Sequence, residues 1–271
     1  MTDERVTREI RPGMTRTARR AQRRRASRPA PVMTGGKTAA LLPAFIAAGV
    51  YALGMAIAWL LTPYAYTDAR AVFSITPVLL VLCGIMLGLA VFFRVPAWGG
   101  LGWDLSALWI VVPTGLLAAN ALFAFATKGV SPLLVLGILA GTVLVGIAEE
   151  LAFRGIALNS LARRYPPLVA VIGSAALFGL MHAVNVFARQ SAAEVAIQIV
   201  LTTVFGIAFG WVYLNTGRNL LIVIACHALW DFGGIGAVAG GGGLHATSLL
   251  AETVIWVGAV VLTLRARRSA A

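Results

Sequence analysis

Long apolar runs separated by short polar breaks organise this chain. Taken between charged residues or Gly/Pro breaks, they predict eight helices at about 38–62, 72–93, 105–127, 132–164, 167–186, 194–214, 219–238 and 246–264. Runs of near twenty residues, rising about 1.5 Å each, are long enough to span the ~30 Å hydrocarbon core of a bilayer. The short alternating segments of a membrane β-barrel are missing. The predicted fold is all-α, a polytopic transmembrane helix bundle of about eight spans. The fourth run is longer than a membrane needs. Its last third, RGIALNSLARRY, reads as amphipathic and is expected to project from the bilayer.

Composition agrees with this. The chain is 59% hydrophobic and 12% charged, with a mean hydropathy of +0.87. A soluble domain would carry about a quarter charged residues. The net charge of +12 is mostly a property of residues 1–37, which hold ten Arg and Lys37 against Asp3, Glu4 and Glu9. This segment, with ARRAQRRRASR at 18–28, has no apolar face and is expected to be a disordered cytoplasmic tail. Its preferred partner is anionic lipid, each base contributing about 1 kcal/mol near the surface, rather than nucleic acid. No signal-peptide pattern follows it, and Met14 and Met33 are alternative starts. The organisation predicted is this tail, a helical domain over 38–264, and a basic cytoplasmic tail over 265–271.

Eight spans place both termini on one side. That side then carries the tail, Arg94, Arg154, Arg163, Arg164, Arg218 and RARR at 265–268, leaving Arg70, Lys128 and Arg189 on the other. The positive-inside rule makes it the cytoplasm, and the composition, rich in Ala, Gly, Leu and Arg, looks bacterial, so the expected location is the plasma (inner) membrane. Glycines four apart at Gly84/Gly88, Gly137/Gly141 and Gly206/Gly210 are expected to let helices approach closely. Cys83 and Cys226 fall in apolar spans and read as small hydrophobes, although Cys226 adjoins His227 and a metal role is conceivable for it. GGGGLHA at 240–246 reads as a flexible loop with a solvated His245.

A charged residue near the bilayer centre costs roughly 2.5–3.5 kcal/mol, so those that persist there mark function. GIAEELAFRG at 146–155 places Glu149, Glu150 and Arg154 inside an apolar run; His182, His227 and Asp231 lie in later ones. Glu150 and Arg154 stand i, i+4, as do Phe178 and His182, and His227 and Asp231. Adjacent Glu149 and Glu150 differ by about 100° around the helix, so one carboxylate can pair with Arg154 while the other faces elsewhere. Glu194, opening a helix, suits the N-terminal dipole, and Glu252 is isolated near an outer end. Counting residues from the turns puts Glu149, His182 and His227 at one depth, expected in the inner half of the membrane and reachable from the cytoplasm. A structural Glu–Arg bridge with neutral core histidines, or a proton or ion pathway, would also use such residues.

EELAFR (149–154), FGLMH (178–182) and HALWD (227–231), in this order on successive apolar helices, resemble the EExxxR, FxxxH and HxxxN/D motifs of the CPBP family of intramembrane endopeptidases. That family includes CAAX prenyl proteases and the bacteriocin-processing or self-immunity Abi proteins. The resemblance covers about 130–240. It implies peptide-bond hydrolysis in a membrane-associated protein or peptide, with Glu149 and His182 activating a water. His227 and Asp231 would stabilise the oxyanion or bind metal, and Glu150 and Arg154 would brace the site, with Phe178 beside His182. Glu149, His182, His227 and Asp231 are also the candidate ligands of a zinc ion holding an open position for water. There is no HExxH, so an ordinary zincin is excluded. Asp231 stands where some members carry Asn; an ionised Asp cannot donate to an oxyanion, but it can orient His227 or ligate a metal. The reading from a different class is a non-catalytic membrane protein, a proton- or ion-coupled transporter or a regulatory scaffold, that keeps this fold.

Overall fold

The computed structural model describes residues 38–95, 107–239 and 245–268. The Arg-rich segment 1–37 and most of the predicted glycine loop therefore lie outside the described residues. Within them the chain is helical, without a strand. α1 is Thr38–Leu61, α2 Ala69–Ser74, α3 Thr76–Phe92, α4 Leu108–Thr127 and α5 Pro132–Glu150. A π-helical segment, Leu151–Leu158, leads from α5 into α6 (Asn159–Ala162). α7 is Pro167–Met181, followed by a 3₁₀ stretch, His182–Ala188. α8 (Ala192–Asn215), α9 (Leu220–Ala239) and α10 (His245–Arg268) complete the chain. Among the described residues six helices are long and apolar enough to cross a membrane, while Thr76–Phe92 and Leu220–Gly236 are shorter apolar helices.

Local chemistry explains the boundaries. The second predicted span breaks at Ile75, where Ser74 and Thr76 hydroxyls bond back to the carbonyls of Ala71 and Val72 and Pro77 brings no N–H. Asp68 caps α2 by accepting from the Arg70 amide. Ser191 and Glu194 form a reciprocal capping box at the start of α8, the N-terminal role expected of Glu194. Gly129 and Gly217 turn the chain with φ of 65° and 69°. Residues 265–268, expected in the closing tail, continue α10 to Arg268.

The bundle is apolar outside and embeds a few polar side chains in an apolar core. Leu60, Leu80, Val91, Phe123 and Leu133 are exposed, while Glu150, Arg154, Asn159, Asn185 and His227 are buried. An apolar exterior of this extent fits a lipid solvent. α9 packs against α4 and α5, α7 against α8, and α1 against the π-helical segment and the 3₁₀ stretch. A Cβ at Gly141 would meet the Val72 carbonyl at 3.0 Å, and one at Gly206 would meet Ala175 at 3.0 Å; Gly210 comes about as close to Val171, and Gly137 closer still to the Phe73 ring. Gly84 and Gly88 depart from the packing role expected of them: no heavy atom lies within 4 Å of a Cβ built at either. Their spacing matches the motif, but their helix face has no close neighbour among the described residues.

The long fourth run also differs from expectation. Leu151 through Leu161 is buried without a break, wrapped by α1, α3 and α7 rather than projecting as an amphipathic rod. Several hydrogen bonds tie its polar groups internally. Asn159 Nδ2 donates to the Gly155 carbonyl at 2.9 Å and to Tyr213 Oη at 2.7 Å, and Ser174 Oγ donates to the Phe153 carbonyl at 2.7 Å. A π-helical register shifts the backbone ladder by one residue, and these side chains serve carbonyls within that segment.

Candidate active site

The last turn of α5 presents two carboxylates to different partners. Glu150 Oε1 accepts from Arg154 Nη1 at 2.8 Å, the pair its i, i+4 spacing foretold, and lies 2.7 Å from His227 Nδ1. Glu149 Oε1 accepts from Tyr51 Oη at 2.9 Å, across 98 residues of sequence. Glu149 Oε2 makes no hydrogen bond within the protein and sits 3.4 Å from His227 Nε2. Gly146, one turn before, permits this: a Cβ there would meet the Ile224 carbonyl at 3.0 Å and the Ala228 amide at 3.4 Å. The absence of a side chain lets α9 bring His227 against α5.

Arg154 is the largest fully buried side chain, 1% exposed. Two aromatic rings replace water around it: its guanidinium carbon lies 4.5 Å from the Phe178 ring centroid and 5.6 Å from that of Phe209. Phe178 in turn meets His182 edge-on at 5.1 Å and His227 at 5.9 Å. One ring thus bridges the Glu–Arg pair and both histidines. The pair itself is no net source of stability, because desolvating two ions offsets their attraction; it fixes position.

His182 closes α7 where the helix tightens into the 3₁₀ stretch. Its Nδ1 lies 2.9 Å from the Phe178 carbonyl, an acceptor only, so Nδ1 carries the proton that makes this bond. In the neutral ring Nε2 then keeps its lone pair. Asp231 Oδ2 stands 3.7 Å from His227 Nε2. The role of orienting His227, open to Asp231 from its spacing, falls instead to Glu150, whose bond to Nδ1 is a full ångström shorter.

Glu149, His182, Asn185, His227 and Asp231 line one cavity of about 360 Å³. A second, of about 200 Å³, shares His182, His227, Trp230 and Asp231 with it and reaches Glu252 and Trp256 on α10. Glu252, expected to be merely structural, is thus on a wall adjoining the site. The first cavity's lining includes Tyr66, Thr67, Asp68, Ala69 and Gln190. These belong to the end of the bundle where α1 finishes and α8 begins, opposite Arg94, Arg163 and Arg218. The expected approach was from the arginine-rich end; these lining residues stand toward the opposite one. Residue counts along helices gave depth but not access.

Sequence reasoning missed Tyr51, Asn185 and Gln198. Asn185 accepts from Trp59 Nε1 at 2.9 Å and donates to Gln198 Oε1 at 2.9 Å. The available signal was the presence of amides inside apolar runs, three residues after His182 and mid-run in α8. Of the candidate zinc ligands Glu149, His182, His227 and Asp231, the described residues form no group of three or more His, Cys, Asp or Glu side chains able to hold a metal ion. No step below passes through a zinc ion. Cys83 and Cys226 are both free thiols.

Residues 131–233, from the start of α5 into α9, match the family model described as Type II CAAX prenyl endopeptidase Rce1-like. The matched region contains all three motifs and supports placing the chain in the CPBP/CAAX protease family. The family implies intramembrane CAAX endopeptidase activity in general, and with it a membrane-associated peptide or protein substrate. No curated protein and no solved structure matches the chain significantly.

Proposed function

We propose that this protein is an intramembrane endopeptidase in which Glu149 and His182 activate a water for attack on a substrate peptide bond. The carrying observation is Glu149 Oε2: a buried carboxylate oxygen with no bond inside the protein, on the wall of a cavity that His182 also lines. Amide hydrolysis needs a general base, a positioned water and stabilisation of the developing oxyanion. The Tyr51 hydroxyl holds one oxygen of Glu149 and leaves the other to bind the water. The water's oxygen adds to the scissile carbonyl carbon as its proton passes to Glu149 or to Nε2 of His182. Collapse of the tetrahedral intermediate breaks the C–N bond, and the same proton goes to the departing amine. His227, held through Nδ1 by Glu150, faces the reaction with Nε2, and Asp231 is charge-complementary to it.

The mostly apolar first cavity, with Met55, Trp59, Ile75 and Met181 in its walls, suits a short extended peptide segment. Both termini are assigned to the cytoplasm of a bacterial inner membrane by the distribution of Arg and Lys, and the tail to anionic lipid. With that orientation the cavity opens away from the cytoplasm, and the substrate is a segment presented from that side. The test is terminal proteomics on membranes holding the wild type, Glu149→Gln or His182→Ala. New peptide termini that depend on both residues are expected; equal termini in all three, with a persisting biological effect, would mean a non-catalytic scaffold or transporter.

A further inference from the structure

A directed chain of hydrogen bonds runs across the cavity wall, through residues outside the motifs. Trp59 Nε1 donates to Asn185 Oδ1 at 2.9 Å, Asn185 Nδ2 donates to Gln198 Oε1 at 2.9 Å, and Gln198 Nε2 donates to Tyr66 Oη at 2.6 Å. Its direction is fixed at one end. An indole nitrogen can only donate, so Asn185 must offer its oxygen there and its amine to Gln198. Gln198 then has its oxygen occupied and must present its amine to Tyr66. The Tyr66 oxygen is therefore an acceptor in this chain, and its own O–H is left to donate elsewhere.

Tyr66 has no other hydrogen bond of its side chain within the described residues, and it lines both cavities that His182, His227 and Asp231 share. Backbone contacts hold its loop: the Tyr66 amide donates to the Ala188 carbonyl at 2.9 Å, and the Arg189 guanidinium reaches the Pro63 carbonyl. Its ring meets that of Trp59 at 5.6 Å, so the first and last members of the chain also touch. We propose that Tyr66 is a further catalytic residue, whose hydroxyl donates a hydrogen bond to the oxyanion formed from the scissile carbonyl, with Asn185 and Gln198 as its positioning residues. The peptidase reading leaves an opening for such a donor, because Asp231 in its ionised form cannot serve as one. A phenol, with an ordinary value of about 10, keeps its proton at neutral pH. The residue donates without giving up its proton, so no proton transfer is assigned to it.

This inference rests on the peptidase reading, and the test separates the two. Wild type, Glu149→Gln, Tyr66→Phe and Gln198→Glu are reconstituted in liposomes and given a peptide library derived from a bacterial membrane proteome, with cleavage read by mass spectrometry. Steady-state constants are then taken on the peptide cut fastest by wild type. Loss of an oxyanion donor lowers kcat by about 10²–10³-fold, and Tyr66→Phe is expected to do so with KM within about twofold. Gln198→Glu keeps a hydrogen bond to Tyr66 but reverses it, because a carboxylate accepts and captures the phenol proton. Its kcat should fall with that of Tyr66→Phe while its thermal unfolding stays that of wild type. A merely structural chain predicts near-normal kcat in Gln198→Glu and a change in unfolding for Tyr66→Phe. Full activity of Tyr66→Phe or Gln198→Glu beside an inactive Glu149→Gln overturns the inference alone. Equal cleavage by wild type and Glu149→Gln, including none by either, overturns the peptidase reading and this inference with it.

Discussion

Glu150 Oε1 is shared: Arg154 reaches it at 2.8 Å from its own helix and His227 at 2.7 Å from α9, so one oxygen ties a structural ion to a candidate catalytic ring. Neutralising this carboxylate with little change of shape isolates the electrostatic part. Glu150→Gln is expected to lower kcat by up to about 10⁴-fold, the scale of loss when a carboxylate orienting a catalytic imidazole becomes an amide. Single-turnover cleavage by folded, purified variant would check it.

Arg154→Met should act on stability first. Breaking a buried pair from one side strands the other charge and costs about 3–5 kcal/mol. Denaturant unfolding in detergent is expected to show that loss, whereas a double change replacing Glu150 and Arg154 by apolar residues should recover part of it.

A metal-free mechanism has a direct check. Activity of the purified protein is expected to survive strong chelators, with no stoichiometric metal by elemental analysis. Loss on chelation restored by zinc would return Glu149, His182, His227 and Asp231 to the role of ligands.

Access can be read with single cysteines in a Cys83→Ser, Cys226→Ser background. A cysteine at Thr67, in the cavity lining, is expected to react with a membrane-impermeant maleimide from the side opposite the termini. A cysteine at Arg163 should react only after the membrane is opened. The reverse pattern would invert the orientation.

Outside the spans, Asp68 supplies a pH signature. Its hydrogen bonds from Arg70 hold the carboxyl below its ordinary value of 3.8. A group lowered on folding contributes stability above its unfolded value, and that contribution fades as pH falls through the folded one. Asp68→Ala should therefore lower the unfolding temperature at neutral pH, with the gap to wild type closing as pH drops below about 4. A gap that widened toward acid would contradict this assignment.

The sequence carried the parts of the site that are costly in lipid. Glu149, Glu150, Arg154, His182, His227 and Asp231 stood out because no apolar run tolerates them by default, whereas of the eight predicted spans six are long and apolar enough to cross a membrane among the described residues. Tyr51 and Tyr66 did not stand out, because a tyrosine in or beside a span is unremarkable until its hydroxyl finds a partner 98 or 132 residues away. The π-helical register of Leu151–Leu158 was equally hidden; it depends on Ser174 and Asn159 reaching particular carbonyls, which no local propensity encodes. The break at Ile75 had a readable cause in Ser74, Thr76 and Pro77, but a continuous apolar count overrode it.

Gly146 takes no part in any bond of the site, yet it sets the width of the gap across which Glu149 and His227 face each other. With the Ile224 carbonyl only 3.0 Å from where a methyl would stand, the spacing of the two helices is fixed by an atom the chain does not have. Alanine there would leave every reactive group present and would displace α9, and His227 with it. A tolerance map of this protein should therefore rank Gly146 beside the acids and histidines, as a spacer whose enlargement mimics their loss.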